Sequence, residues 1–164
     1  MTTTSASAGA AVPAAPAGVR AFNHFNVSVA DLDRSVHFYR DLLGLELLGR
    51  GRVAYPHLDE IIGLPGTDIE WAELAVPEGG IVELFRYHHP PGRPVDPAVN
   101  NPGTTHLAFT VRGIDVLAER LHDGGVETVS RAPVEIPFGD WAGYRDLYVT
   151  DPDGVMVELV EPPS

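Results

Sequence analysis

A chain of 164 residues with 44% hydrophobic and 21% charged content is long enough for one ordinary core or two small modules sharing one. A formal net charge of −12 argues against nucleic acid and anionic membranes as partners, since both demand a basic surface. The absence of cysteine excludes disulfides and thiolate metal sites.

Residues 1–18 are rich in Ala, Thr, Ser and Pro and carry no charge, which predicts a disordered tail. They lack the basic start and long apolar middle of a signal peptide, so a cytoplasmic location is the expectation. The first strand follows, at His24-Phe25-Asn26-Val27-Ser28-Val29. Phe25, Val27 and Val29 form its apolar face; His24, Asn26 and Ser28 form the polar one. A helix is predicted over 31–44, with Asp31 as N-cap and Gly44 just past its end. Leu32, Val36, Tyr39 and Leu43 make its buried stripe. Strand patterns follow at 45–48, 69–76 and 81–87, and the irregular stretch 49–67 leaves room for a short helix at 57–63. Residues 88–102 contain five prolines and little periodicity, as a linker does.

Beyond the linker the order repeats. His106 opens a strand whose apolar face is Leu107, Phe109 and Val111, and a helix over about 114–122 buries Ile114, Leu117 and Leu121. Short strands are expected at 126–129 and 134–136, a loop at 138–143, and strands at 144–149 and 155–160. The chain therefore reads as an α+β protein of two βαβββ modules, about 19–87 and 103–162, within a single domain over 19–162.

Each module's last strand holds one carboxylate in an apolar run: Glu83 within 81–85 and Glu158 within 155–160. An ionised carboxylate there is costly unless it meets a cation or strong donors. Taken singly, each of these residues reads more simply as a structural or surface group. Together, at matching places of two repeats, His24, Glu83, His106 and Glu158 form a set of two imidazoles and two carboxylates. Such a set suits one divalent ion such as Zn, Ni, Co, Mn or Fe.

The arrangement resembles the vicinal oxygen chelate superfamily, the glyoxalase / bleomycin-resistance / extradiol dioxygenase fold. The matching stretches are 24–29, Ser35-Val36-His37-Phe38-Tyr39, Leu42-Leu43-Gly44-Leu45, Ile81-Val82-Glu83-Leu84, His106-Leu107-Ala108-Phe109 and 151–159. The resemblance implies that each module curls into a half-barrel and that paired halves enclose a metal held by His24, Glu83, His106 and Glu158. The order His, Glu, His, Glu is closest to glyoxalase I and methylmalonyl-CoA epimerase. Extradiol dioxygenases differ at one of the four positions, and bleomycin-type binders lack the set.

The implied activity is thus that of a metal-dependent lyase or isomerase working through enediolate or enolate chemistry on a small oxygen-chelating metabolite. Glu158 would move the proton, with Glu83 on the opposite face. A dioxygenase on a catecholic or keto substrate and a small-molecule, antibiotic-binding protein are the alternatives. A homodimer is expected from the same resemblance, and some members build each site from two chains.

Two residues that anchor glutathione in glyoxalases, an Arg four positions past the first His and an Asn four past the first Glu, are replaced by Ser28 and Tyr87. A glutathione hemithioacetal is therefore disfavoured, and the lysine-free chain offers no basic patch for coenzyme A phosphates. Asn26, Ser28 and Thr110 share the histidines' faces and could line a cavity. Phe138 to Arg145 could be either a mobile lid or a loop anchored by Trp141. His57 lies in the irregular segment near a possible rim, while His37, His88, His89 and His122 read as helix-surface or linker residues.

Overall fold

In a computed structural model, described here for residues 17–164, eight strands and three helices follow the expected order. The tail expected over 1–18 lies, but for its last two residues, outside the described residues.

The first module places β1 (His24–Ser28), β2 (Glu46–Val53), β3 (Asp68–Ala75) and β4 (Ile81–His89) in one sheet, in the order β1-β4-β3-β2. The second repeats this with β5 (His106–Thr110), β6 (Val134–Glu135), β7 (Arg145–Thr150) and β8 (Met156–Glu161), ordered β5-β8-β7-β6. In both, the first strand runs parallel to the last and stands at the sheet edge. The two-module α+β reading is therefore observed.

Helix α1 (Leu32–Val36) starts as its sequence dictates, with Asp31 accepting a hydrogen bond from the Arg34 amide. It then continues as a wider π-helical turn over His37–Leu42. The wider turn changes the buried stripe: Phe38 joins Leu32, Val36 and Tyr39 in the core, which a strict 3.6-residue period would not place there. Gly44, at φ +87°, then reverses the chain into β2. Helix α2 spans Pro56–Ile62, and α3 spans Ile114–Asp123 with Ile114, Leu117, Ala118 and Leu121 buried.

One core serves both modules. Val27, Leu74, Val82 and Leu84 from the first sheet join Leu107, Leu147, Val157 and Leu159 from the second around α1 and α3. A buried polar bond also crosses between them. The Tyr39 hydroxyl donates to Asp151 Oδ2 at 3.0 Å, and burial followed by the Asp151 charge holds the phenol proton well above its ordinary range. Asp151 Oδ1 accepts from the Asp153 and Val155 amides at 2.9 and 2.8 Å, closing the turn before β8. Tyr39→Phe should cost about 1–3 kcal/mol, because it leaves a buried carboxylate oxygen without its donor. Urea unfolding should show a lower midpoint at unchanged slope; an unchanged midpoint would mean that the bond holds nothing between the modules.

Two stretches differ from their sequence patterns. β2 runs five residues past 48, through Gly49 and Gly51, because glycine there makes room for the Trp71 side chain of the neighbouring strand. Residues 126–129 make only an isolated bridge, Thr128 to Val149, so the second sheet keeps four strands. The 138–143 loop carries Phe138 and Trp141 largely exposed, with Trp141 edge-on to Tyr144 at 4.9 Å. Among the described residues, no helix is long and apolar enough to cross a membrane.

Candidate metal centre

Strand alternation decides which side chains can meet. In the first sheet Val27, Leu74, Val82 and Leu84 point into the core. Their neighbours in sequence must therefore occupy the opposite face. Register puts Asn26 beside Glu83, and Glu83 beside Glu73. In the second sheet Leu107, Leu147, Val157 and Leu159 face inward, so His106, Glu158, Tyr148 and Asp146 share the outer face, with Tyr148 beside Glu158.

On these faces the predicted residues form two pairs. His24 Nε2 lies 3.6 Å from Glu83 Oε2, and His106 Nε2 lies 2.9 Å from Glu158 Oε2. The histidine side chains are 46% and 47% exposed, and the glutamates 18% and 17%. Each imidazole is thus open to a ligand from outside while its carboxylate is mostly shielded. The pairs do not converge within the chain: among the described residues, no three His, Asp or Glu side chains lie close enough together to hold a metal ion. A groove of about 690 Å³ between Leu43, Val76, Phe109, Val111, Leu117 and Arg120 contains none of the four residues.

The donor atoms fit a divalent cation. With metal–nitrogen and metal–oxygen bonds of about 2.1 Å, neighbouring ligands stand about 3.0 Å apart at a right angle and about 3.4 Å at a tetrahedral one. The two observed separations are close to these values. His24 adds a second reason. Its Nδ1 lies 2.6 Å from Asn23 Oδ1, an acceptor, so Nδ1 carries the proton. In the neutral ring, Nε2 then turns a lone pair towards the Glu83 carboxylate, a contact that a second ring proton or a metal cation would satisfy.

The groups around each glutamate differ. Asn26 Nδ2 donates to Glu83 Oε2 at 3.2 Å, orienting the carboxylate from the adjacent strand. Around Glu158 stand Tyr148 and Asp146. Burial, then the interaction of its hydroxyl with Glu158, pushes the Tyr148 phenol up to about 12, and its ring meets His106 edge-on at 5.7 Å. Asp146 Oδ1 is buried without a hydrogen-bond partner. Burial first and the Glu158 charge second push the Asp146 carboxyl up to about 6. A cation brought to Glu158 would relieve that crowding of negative charge.

Tyr148 and Asp146 went unnoticed as sequence candidates, although period two over 144–149 already sets them on the face opposite Leu147 and Val149. Of the remaining polar candidates, Ser28 is exposed on the His24 face and Thr110 lines the groove. His57 stacks on Tyr55 at 5.5 Å. His37 pairs with Asp41, His88 with Glu70, and His122 with Thr128.

Comparison with known proteins places the chain in a family by sequence and fold. Residues 21–159 match the model of the Glyoxalase/Bleomycin resistance protein/Dioxygenase superfamily. The chain is 31% identical to a 2-epi-5-epi-valiolone epimerase of Actinomyces, over 90% of this chain and 82% of that one. It is 30% identical to a probable lactoylglutathione lyase of Synechocystis, over 86% and 95%. The crystal structure of a glyoxalase family protein from Bacillus cereus superposes with a TM-score of 0.78 at 28% identity, covering 90% of this chain and 97% of that one. The chain belongs to the Glyoxalase/Bleomycin resistance protein/Dioxygenase superfamily.

Proposed function

We propose that this protein is a metal-dependent proton-transfer enzyme of glyoxalase or epimerase type, acting on a small metabolite with vicinal oxygens. The observation that carries this reading is the facing of each imidazole Nε2 and its glutamate Oε2 at metal-ligand spacing. The relatives named as an epimerase and as a probable lactoylglutathione lyase support it.

The active form in this proposal is a homodimer, with the His24–Glu83 pair of one protomer facing the His106–Glu158 pair of its partner. Two features support it: the pairs stay separate within one chain, and their strands β1 and β5 each stand at a sheet edge. Closing two such faces on each other would shield the half-exposed histidines.

A bound divalent ion would supply positive charge against the negative charge that develops on a substrate oxygen as the neighbouring carbon loses its proton. His24 and His106 would hold their ring nitrogens towards that ion, and Asn26 would keep Glu83 aimed at it. Glu158 would take the proton and return it, to the same carbon or its neighbour according to whether the outcome is epimerisation or isomerisation. Ser28 and Tyr87, in place of the two glutathione anchors, direct the proposal away from glutathione adducts.

The test is metal analysis of the purified chain, followed by deuterium exchange from D₂O into the hydroxyl-bearing carbon of vicinal hydroxy-ketones, with oxygen excluded. About one divalent ion per chain is expected, with exchange abolished by a chelator and restored by metal. Activity that consumes oxygen would make the protein a dioxygenase, and tight ligand binding that survives metal removal would make it a binding protein.

A further inference from the structure

Three aromatic side chains on the His24 face of the first sheet have no part in the core. Trp71 on β3, Phe85 and Tyr87 on β4 are all half-buried, and none belongs to the buried cluster or to the apolar residues packed against it. Trp71 pairs in register with Gly51 on one side and Phe85 on the other, and Phe85 meets Tyr87 edge-on at 6.2 Å. Phe85 lies two residues beyond Glu83 on the same strand face, so the wall adjoins the His24–Glu83 pair.

The posture of Trp71 is set by the glycines of β2. A Cβ at Gly51 would stand 3.1 Å from the indole Cε2, Cζ2 and Nε1 alike, and one at Gly49 would stand 3.6 Å from Cη2 and Cζ3. Equal distances to three bonded ring atoms mean that the indole lies broadside on the strand, not edge-on. Its six-membered ring extends towards Gly49, which pairs with Glu73, and Glu73 pairs with Glu83. One indole face therefore rests on bare backbone, and the half-buried side chain offers its other face outward. The second module has no counterpart: Asp146 and Val160 stand where the first has Trp71 and Phe85, counted from the strand partners of Glu158 and Glu83.

Resting on the function proposed above, we infer that Trp71 on its Gly49–Gly51 shelf, with Phe85 beside it, is the wall on which a cyclic substrate stacks. The ring of a cyclic hydroxy-ketone would lie against the indole while its two oxygens reach the His24–Glu83 pair. An open-chain substrate of the same oxygen spacing has no flat or chair-shaped face to cover an indole. The wall thus selects ring over chain, and it does so from one half of the site only.

Two chelating probes separate the wall from the metal: tropolone, a planar cyclic hydroxy-ketone, and acetohydroxamate, an open-chain chelator. Their binding to the metal-loaded full chain is measured by calorimetry, alongside metal content. Trp71→Ala should weaken tropolone by about tenfold or more, in line with the loss of one stacked ring. Acetohydroxamate affinity and metal content should stay within about twofold, on the same reasoning. Gly51→Ala, which keeps the tryptophan but sets a Cβ 3.1 Å from the indole and so makes the ring give way, should also shift tropolone and spare acetohydroxamate. An equal loss for both probes, or no loss for tropolone in either variant, overturns the wall. An unsubstituted chain that takes up no divalent ion overturns the metal reading instead, and the wall falls with it.

Discussion

Glu158→Gln should reduce deuterium exchange into a vicinal hydroxy-ketone by about 10²- to 10⁴-fold, the contribution of a positioned general base. Glutamine keeps the size and one ligand oxygen of glutamate but cannot accept the proton, so part of the metal should remain bound. Glu158 is chosen over Glu83 for reasons visible in the two sheets. Glu83 is tied by the Asn26 amide at 3.2 Å. Glu158 is instead crowded by the half-buried Asp146 carboxyl, whose shielded Oδ1 has no hydrogen-bond partner of its own. A proton taken up by Glu158 would relieve that crowding of negative charge, as a cation would. Metal content by elemental analysis and exchange by NMR measure the two halves of this expectation separately. Full exchange activity in the variant would move the base role to another residue.

Much of this site was legible in the chain because its information is periodic. Alternation alone put His24 opposite Val27 and Val29, and His106 opposite Leu107 and Phe109, which are the faces they occupy. The apolar runs around Glu83 and Glu158 likewise announced shielded carboxylates, and both are largely buried. What stayed hidden depends on contacts between strands distant in sequence. The pairing of Tyr148 with Glu158 needs the register of β7 on β8. The Trp71 shelf needs β2 to continue through two glycines, which local propensity argues against; the indole that fills the space comes from another strand, some twenty positions further along. The π-helical turn that buries Phe38 beside Tyr39 similarly answers to the shared core rather than to helical periodicity.

Mixing two inactive variants should restore metal sites only if each site is built from two chains. In the proposed dimer, His24→Ala removes a ligand from one half of every site and His106→Ala removes one from the other half, so each variant alone should bind metal poorly. In a mixed dimer, one site receives both damaged halves and is lost. The other receives the intact His106–Glu158 half from the His24→Ala chain and the intact His24–Glu83 half from the His106→Ala chain. Random re-association makes about half of the dimers mixed, with one good site in two, so about a quarter of wild-type metal occupancy and exchange activity should return. A site enclosed within a single chain gives no recovery at any mixing ratio, because every chain then carries its own lesion. Mixing after brief dissociation in mild denaturant, with metal and exchange measured before and after, decides between the two. Recovery near a quarter would also explain why the two pairs are each well formed yet separate within the chain: each would be half of a centre completed by the facing sheet of the second protomer.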